Sequence, residues 1–297
     1  MTRADSTNGR LQRLHHVRVS DPDLDLSRFP DFLIIGPQRT GTTWLHANLR
    51  WHPQIFLSEP KELFYFSRLK TPDHPGFQSA DLAWYLSFFR EDPLRWAYKQ
   101  ASALVRYRSL YRPLVRGEAT ASYAACDRDV IEDIATINSQ IRAIMMVREP
   151  VERAWSHAKK DLARNRGRKL SDVSTDEFER FFRDPYQIQC ARYAENLRNW
   201  ADHIGADQVL VGRFEDVSER PEGLLREVLT FLGVSADACF VPPSVREAVN
   251  PTAESAVPER HRRFLEDLLG EEIREWREHF ASARPGVSAR KEEHPRR

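Results

Sequence analysis

A short apolar run that ends at a glycine constrains the fold of this chain more than any other feature. Residues 32–35 read "FLII", and they are followed by Gly36, a small polar loop, a second glycine at Gly41 and a segment with a helical pattern. A fully apolar run of this length is typical of a strand that is buried on both faces, as in a parallel sheet. Where a strand, a tight turn and a helix meet, backbone N–H groups and the positive end of the helix point at one place. The segment therefore predicts an anion-binding loop.

Further apolar runs alternate with amphipathic segments along the chain. Residues 142–147 ("RAIMMV") and 208–214 ("QVLVGRF") predict two more buried strands. Helices are predicted over residues 42–50, 148–165, 193–204, 222–234 and 263–280. Strands that alternate with helices predict an α/β fold, a three-layer sandwich with a central parallel sheet and a P-loop-like strand-loop-helix.

One domain is predicted over residues 31–282. A loose polar arm precedes it at residues 1–30, and a charged tail follows it at residues 283–297. Residues 68–116 are rich in aromatic residues and arginine and have no clear pattern; we interpret them as helices over the substrate side.

The charge and cysteine content exclude several classes of function. Lys and Arg total 45 against 44 Asp and Glu, so the net charge of +1 is too small to indicate binding to nucleic acid. The cysteines Cys126, Cys190 and Cys239 are dispersed and lack CxxC spacing, which argues against a disulfide framework or a zinc site. No stretch approaches the ~20 apolar residues that span a bilayer, and residues 1–16 lack the apolar core of a signal peptide. We therefore expect a soluble, cytoplasmic protein without a membrane span, of unknown oligomeric state.

The loop departs from the Walker A pattern GxxxxGK[ST] at one position. In "GPQRTGTT", Thr42 stands where that pattern has Lys, and the one cation is Arg39 inside the loop. Walker loops place the Lys on the β- and γ-phosphates and use the hydroxyl to hold Mg²⁺. This loop keeps the anion site without that arrangement, which favours a nucleotide with a short 5′ anionic group and no metal. An ordinary strand–turn–helix junction with incidental threonines is the alternative.

The loop resembles the 5′-phosphosulfate loop of sulfotransferases that use 3′-phosphoadenylyl sulfate (PAPS). The resemblance is strongest to the branch of heparan sulfate N- and 3-O-sulfotransferases and their bacterial relatives. That branch commonly has Lys in the loop, whereas Arg39 supplies a planar cationic fork here. A second motif resembles the family's 3′-phosphate site, with Arg148 directly after a strand and Ser156 eight residues later in a helix. An Arg fork pairs bidentately with a phosphate, and a hydroxyl completes the contact.

This resemblance runs from about Phe32 to about Val234 and implies sulfuryl transfer from PAPS, with 3′-phosphoadenosine 5′-phosphate (PAP) as product and no metal. The implied acceptor is a hydroxyl or amine of a small molecule or glycan. The implied nucleotide-binding residues are Gln38, Arg39, Thr40, Gly41, Thr42, Thr43, Trp44, Arg148 and Ser156. Ala119 stands where the heparan branch has a Lys after the Glu of "GEATASY", so the role of that Lys is lost or moved.

In-line sulfuryl transfer needs a stabilised leaving phosphate and a base for the acceptor proton. The resemblance implies Arg39 for the first role and Glu62, in "EPKELFYF", for the second. Lys61 beside it is a candidate contact of the sulfuryl or bridging oxygen. Alternative bases are His46, His52 and His157.

Three further residues have weaker interpretations. Glu118 is either a second acid or a residue that holds the loop, and Tyr193 is expected to pack. Asn250 lies in a stretch that could close over the nucleotide.

Two other functions compete with sulfuryl transfer. A P-loop phosphotransferase would need the missing Lys and Mg²⁺. A non-catalytic nucleotide-binding module would need no base at all.

Overall fold

A five-stranded parallel sheet lies at the centre of the computed structural model, which describes residues 11–21, 23–247 and 256–281. The order across the sheet is β2-β3-β1-β4-β5, and each neighbouring pair is parallel. In chain order the strands are β1 (Phe32–Gly36), β2 (Ile55–Leu57), β3 (Val115–Ala119), β4 (Arg142–Val147) and β5 (Val209–Arg213). The predicted α/β fold with a central parallel sheet is confirmed.

Helices of between four and fifteen residues flank this sheet. In chain order they are α1 (Thr42–Leu49), α2 (Tyr65–Arg68), α3 (Leu82–Ser87), α4 (Pro93–Tyr107), α5 (Arg128–Ile137), α6 (Pro150–Ala158), α7 (Thr175–Phe182), α8 (Pro185–Gln189), α9 (Tyr193–Ile204), α10 (Asp216–Glu219), α11 (Pro221–Leu232), α12 (Glu259–Leu268) and α13 (Gly270–His279).

Both faces of the sheet are covered, which makes three layers. Alternate side chains of β1 point to opposite faces, so Leu33 and Ile35 belong to one core cluster and Phe32 and Ile34 to the other. Helices α5 and α9 contribute buried residues to the first cluster, and α1 and α11 contribute to the second. A third cluster joins α6, α7, α12 and α13 beside the sheet.

The loop after β1 lies where the order of the strands reverses. β1 has β3 on one side and β4 on the other, and the chain visits the two halves of the sheet in turn. Such a switch point opens a crevice at the carboxyl ends of parallel strands. The segments that follow β1, β3 and β4 therefore come together at one edge.

Two strands lie outside the three that the sequence predicts. β2 has only three residues, which is too few to show a periodic pattern. β3 reads "VRGEA", and its buried half includes a charged residue, Glu118. β2 is apolar but short, and β3 lacks the continuous apolar run of β1 and β4, so tertiary pairing decides their conformation.

Two predicted helices differ in detail. The helix predicted over residues 263–280 is divided at Leu269 into α12 and α13. The helix predicted over residues 148–165 begins at Pro150 and changes at Lys159–Ala163 to the wider π pattern. Proline suits the first helical turn, since its missing N–H has no acceptor there in any case.

The described part of the N-terminal arm is packed against the domain, so the expectation of a loose arm is wrong there. The backbone N–H groups of His15, His16 and Val17 donate to the Asp133 carboxylate at 2.6, 2.8 and 3.0 Å. Val17 and Phe29 are buried. Backbone amides make most of this contact, so the polar composition of the arm gives no signal of it.

Some predictions fall on residues outside the described ranges. These include residues 1–10, the charged tail at residues 283–297, and Asn250. The predicted domain boundaries therefore stay a prediction. Across the described ranges, no helix combines the length and the apolar character needed to cross a bilayer.

Candidate active site

The turn between β1 and α1 is held in one shape by glycine and by hydrogen bonds. Gly36 has φ 99°, and a Cβ there would lie 2.0 Å from the carbonyl oxygen of Ala121, so only glycine fits. The Thr40 hydroxyl donates to the carbonyl oxygen of Pro37 at 2.6 Å. Gly41, with φ 100°, is the residue from which α1 begins. The first N–H groups of α1 have no acceptor within the helix, and an anion site requires such free donors.

The two predicted nucleotide motifs meet beside this turn. Arg39 Nε donates to Ser156 Oγ at 2.9 Å, across 117 residues of sequence. Arg148 Nη1 donates to the carbonyl oxygen of Arg39 at 3.3 Å. The guanidinium of Arg148 lies 4.2 Å from the ring centroid of Phe214, and Tyr193 Oη donates to the Arg148 carbonyl at 2.8 Å. Tyr193 is buried, as expected of a packing residue, yet its hydroxyl also fixes the backbone of Arg148.

The electrostatics of this cluster favour an anion. Burial lowers the pKa of Arg39, and the nearby charge of Arg148 lowers that pKa further. Burial also lowers the pKa of Lys159, again with Arg148 as the next cause. Lys159 is not among the predicted residues, although its position one helical turn after Ser156 is a signal that could have revealed it. Three cations held this close are stabilised when a negative group binds between them.

The other residues predicted to bind the nucleotide through the loop differ in burial and in hydrogen bonding. Gln38 Oε1 accepts a hydrogen bond from Tyr186 Oη at 2.6 Å. Trp44 is buried in the core, and its indole N–H donates to the carbonyl oxygen of Val245 at 2.9 Å. Any contact of Trp44 with a nucleotide therefore comes from its backbone. Thr42 is buried and Thr43 is half-buried, both in the first turn of α1.

Glu62 is held at the same edge of the sheet. Its backbone N–H donates to the carbonyl oxygen of Ala119 at 2.9 Å, and its Oε2 accepts from the Ala121 N–H at 2.9 Å. Its Oε1 is paired with Lys61 Nζ. Since Ala121 also packs against Gly36, the carboxylate is fixed next to the turn after β1. Glu62 has φ 68°, which is an uncommon backbone conformation for a residue with a side chain.

Glu118 lies beneath this segment in a fully buried polar network. It accepts hydrogen bonds from Tyr85 Oη at 2.7 Å and from the Thr120 hydroxyl. Burial raises the pKa of Glu118 to about 7, against the opposing effect of its hydroxyl donors. Thr120 also accepts from the backbone N–H of Phe64 at 3.4 Å. Of the two interpretations of Glu118, these contacts favour the residue that holds the loop.

The three histidines predicted as alternative bases differ in their hydrogen-bond partners and their positions. His52 uses both ring nitrogens, through the Ser235 carbonyl at 3.0 Å and the Gln54 N–H at 3.2 Å. Burial lowers the pKa of His52 and of His46 to about 4. His157 Nε2 lies 3.3 Å from Asp161 Oδ2, and burial lowers its pKa against an opposing contribution from Asp161.

A cavity of about 660 Å³ opens beside this edge, and both charged or polar and apolar side chains line it. Gln38, His157 and Asp161 line one part of it, and Arg68 and Lys70 line another. Its other walls include residues of α2, α5, α7 and α8 and of the segment after β3. Residues 68–116 are predicted to form helices over the substrate side. Arg68 and Lys70 line this cavity, whereas α3 and α4 contribute no residue to its lining.

Solved structures support the fold. A sulfotransferase from Alicyclobacillus acidocaldarius superposes with a TM-score of 0.57 at 24% identity, over 82% of this chain and 93% of that one. At this level of identity the likeness shows the fold alone.

Several named proteins are similar in sequence. They include the membrane-associated sulfotransferase kil1 of Dictyostelium discoideum, with 21% identity over 69% of this chain and 56% of that protein. The mouse heparan sulfate glucosamine 3-O-sulfotransferase 3B1 is 28% identical over 70% of this chain and 47% of its own length. The human bifunctional heparan sulfate N-deacetylase/N-sulfotransferase 2 is 22% identical over 74% of this chain and 24% of its own length. The chain thus spans between about a quarter and just over half of these relatives.

The family comparison covers the sheet and the residues around the crevice. The model of the sulfotransferase family matches residues 30–238, which include all five strands and both nucleotide motifs. Since the match extends over more than half of the sequence and the fold agrees, this chain belongs to the sulfotransferase family.

Proposed function

We propose that this chain transfers a sulfuryl group from PAPS to a hydroxyl or amine of a small-molecule or glycan acceptor. One observation carries the proposal. The loop cation Arg39, the strand-end cation Arg148 and the helix hydroxyl of Ser156 come together at the N terminus of α1. A nucleotide with two separate anionic groups, at its 5′ and 3′ positions, is the ligand that suits two cationic motifs side by side.

In this proposal the loop holds the 5′ group that becomes the leaving phosphate. Arg39, the hydroxyls of Thr42 and Thr43, and the N–H groups of α1 stabilise it, with Gln38, Thr40, Gly41 and Trp44 completing the loop. Arg148 and Ser156 bind the 3′-phosphate. An in-line step forms the bond from the acceptor oxygen or nitrogen to sulfur and breaks the bond from sulfur to the phosphate oxygen. PAP leaves, and charge stabilisation at the departing phosphate supplies much of the rate.

Glu62 is the proposed base that takes the acceptor proton. Its carboxylate is oriented by the Ala121 N–H and lies next to the turn that would hold the phosphosulfate. Lys61 pairs with Glu62 in the structure, and we propose that it contacts a sulfuryl or bridging oxygen when the nucleotide binds. His157 is the second candidate base, because it lines the cavity and pairs with Asp161.

The cavity beside the loop suits a polar acceptor. Its lining carries both signs of charge: Arg68, Lys70, Arg166, Arg180, Asp127, Asp161, Glu177 and Asp184. Such a lining can hydrogen-bond the hydroxyl and amino groups of a glycan or an aminated small molecule. Two relatives are named for heparan sulfate, which is consistent with a sugar acceptor.

We further propose that the protein acts in the cytoplasm and needs no metal. Its three cysteines are unpaired, as is usual for proteins in a reducing compartment. The loop lacks the Lys that works with Mg²⁺ in Walker loops, and the described residues contain no group of three or more possible metal ligands.

Nucleotide binding and turnover together test the proposal. Calorimetry should show much tighter binding of PAP than of AMP or ADP, and a panel of hydroxyl and amine acceptors should accept labelled sulfate from PAPS in EDTA. Equal affinities for PAP and AMP would reject the assignment of Arg148 and Ser156. Transfer of phosphate from ATP that EDTA abolishes and Mg²⁺ restores would indicate a phosphotransferase. Tight PAP binding without transfer to any acceptor would favour a binding module.

A further inference from the structure

Helix α4 turns an apolar face to solvent. Leu94, Tyr98 and Val105 are 82%, 61% and 84% exposed, whereas Lys99 and Ala103 on the opposite side are buried. Intervals of three and four residues place one exposed stripe along the helix, formed by Leu94, Ala97, Tyr98, Ala101, Leu104 and Val105. This is the reverse of a helix that packs its apolar face on a core.

The stripe continues into the segment after the helix. Across the described residues, the exposed large hydrophobic side chains are all found here: Leu94, Trp96, Tyr98, Leu104, Val105, Leu110 and Leu114. Globular proteins expose such side chains singly, and a continuous patch marks a surface that meets a partner or a membrane. We call residues 93–114 the α4 surface.

The α4 surface is basic as well as apolar. It contains five cationic side chains and no acidic one: Arg95, Lys99, Arg106, Arg108 and Arg112. Arg95 and Lys99 face the protein, where they donate to the carbonyl oxygens of Leu57 and Arg50. Arg106, Arg108 and Arg112 are exposed near its C-terminal end. The apolar stripe therefore has a cationic rim.

We propose that the α4 surface docks on an anionic lipid membrane. Aliphatic side chains of the stripe enter the acyl boundary, and the hydroxyl end of Tyr98 lies at the level of the headgroups. Arg108 and Arg112 contact the lipid phosphates. The surface lies apart from the cavity and adds a location to the proposed function.

A second copy of the chain fits this surface less well. In a symmetric dimer the same surface of each copy meets across the twofold axis. The cations of two α4 surfaces would then face one another, and residues 93–114 contain no acidic side chain to pair with them. A membrane needs no complementary protein surface, and its anionic headgroups attract the cationic rim.

Vesicle flotation of the full chain tests the proposal. We expect binding to vesicles of equal parts phosphatidylcholine and phosphatidylglycerol, and little binding to phosphatidylcholine alone. Leu94→Ser with Val105→Ser should weaken binding by about tenfold to a hundredfold, because two aliphatic groups no longer leave water. Arg108→Gln with Arg112→Gln should weaken it by about tenfold, and more salt should weaken wild-type binding in parallel.

The control pair is Arg246→Gln with Arg263→Gln, which removes the same charge from side chains 73% and 75% exposed elsewhere. It should bind vesicles like the wild type, and every variant should keep its melting temperature and its affinity for PAP. Failure of the wild type to float with anionic vesicles would overturn the proposal. So would equal loss in the control pair, or vesicle binding that the Leu94 and Val105 changes leave intact. A concentration-dependent dimer that those two changes dissociate, without vesicle binding, would assign the surface to a second copy instead. PAP affinity is measured separately, so failure here leaves the proposed function standing.

Discussion

Replacing Glu62 by Gln should remove the chemistry and leave the protein otherwise intact. In the wild type, Glu62 Oε2 accepts from the Ala121 N–H at 2.9 Å, and the amide oxygen of Gln can accept the same hydrogen bond. The substitution therefore loses only the ion pair with Lys61. The two side chains are 24% and 18% exposed, so the loss should cost about 1 kcal/mol of stability or less. Removal of a general base costs about 10²–10⁴-fold in rate. We therefore expect kcat to fall by at least about a hundredfold, with no comparable loss of nucleotide affinity.

The assay is transfer of labelled sulfate from PAPS to an acceptor found in the panel, together with calorimetry of PAP. A base acts in the transition state, so the loss should appear in kcat and leave KM for PAPS largely unchanged. Glu59→Gln is the matched control. Glu59 lies three residues earlier, is 41% exposed, and pairs with Arg50 at 3.2 Å and Arg95 at 3.1 Å.

The control variant should transfer sulfate within about twofold of the wild type, as expected for a surface carboxylate outside the crevice. If Glu62→Gln is as active as Glu59→Gln, the assignment of the base is wrong. His157→Gln then becomes the next variant to measure, since it is the histidine that lines the cavity. The family membership would stand in either case, because it does not depend on the base.

Three further outcomes follow from the geometry. Arg148→Ala should weaken PAP by about tenfold to a hundredfold in calorimetry, the loss of one charged contact, and should leave AMP affinity nearly unchanged; equal loss for both nucleotides would show that Arg148 does not select the 3′-phosphate. Gly36→Ala should lower the free energy of unfolding by about 3 kcal/mol or more in urea, because the new methyl group meets the Ala121 carbonyl 2.0 Å away at a φ of 99°; a wild-type midpoint would contradict the described turn. Burial raises the pKa of Glu118 from 4.5 to about 7, so the folded protein holds this proton more tightly than the unfolded chain does. Its contribution to stability is thus present below about pH 4.5 and is lost as the pH rises through about 7, by up to about 3 kcal/mol. Glu118→Gln should flatten that part of the pH profile of the melting temperature, and an unaltered profile would show that Glu118 does not titrate there.

Local sequence was sufficient for the elements whose pattern is continuous. The strands β1, β4 and β5 are apolar runs, and the loop from Gly36 to Thr43 has spacing that only a few functions share. The membership that these motifs indicated is confirmed by the family match over residues 30–238. The roles of Arg39, Arg148, Ser156 and Glu62 stay predictions until the variants are measured.

Local sequence was insufficient where burial depends on a distant partner. β3 buries Glu118, which its sequence alone would place at the surface, because Tyr85 and Thr120 supply hydroxyls to it. The arm before β1 is held by Asp133, more than a hundred residues away in the chain. In both cases the stabilising group lies on another element, and no periodic pattern reports it.

The sequence by itself determined the class of fold and the presence of an anion loop, because hydrophobic period and glycine spacing act over a few residues. Tertiary structure alone decided which side chains share a site. It joined Arg39 to Ser156, fixed Glu62 beside Gly36, and left His157 on the cavity while His52 is used elsewhere. The tertiary structure also decided that the apolar stripe of α4 faces solvent. An amphipathic pattern predicts that one face of a helix is apolar, but it does not predict what covers that face. Packing between distant segments makes that choice, and the burial of each face is known only once every element is in place.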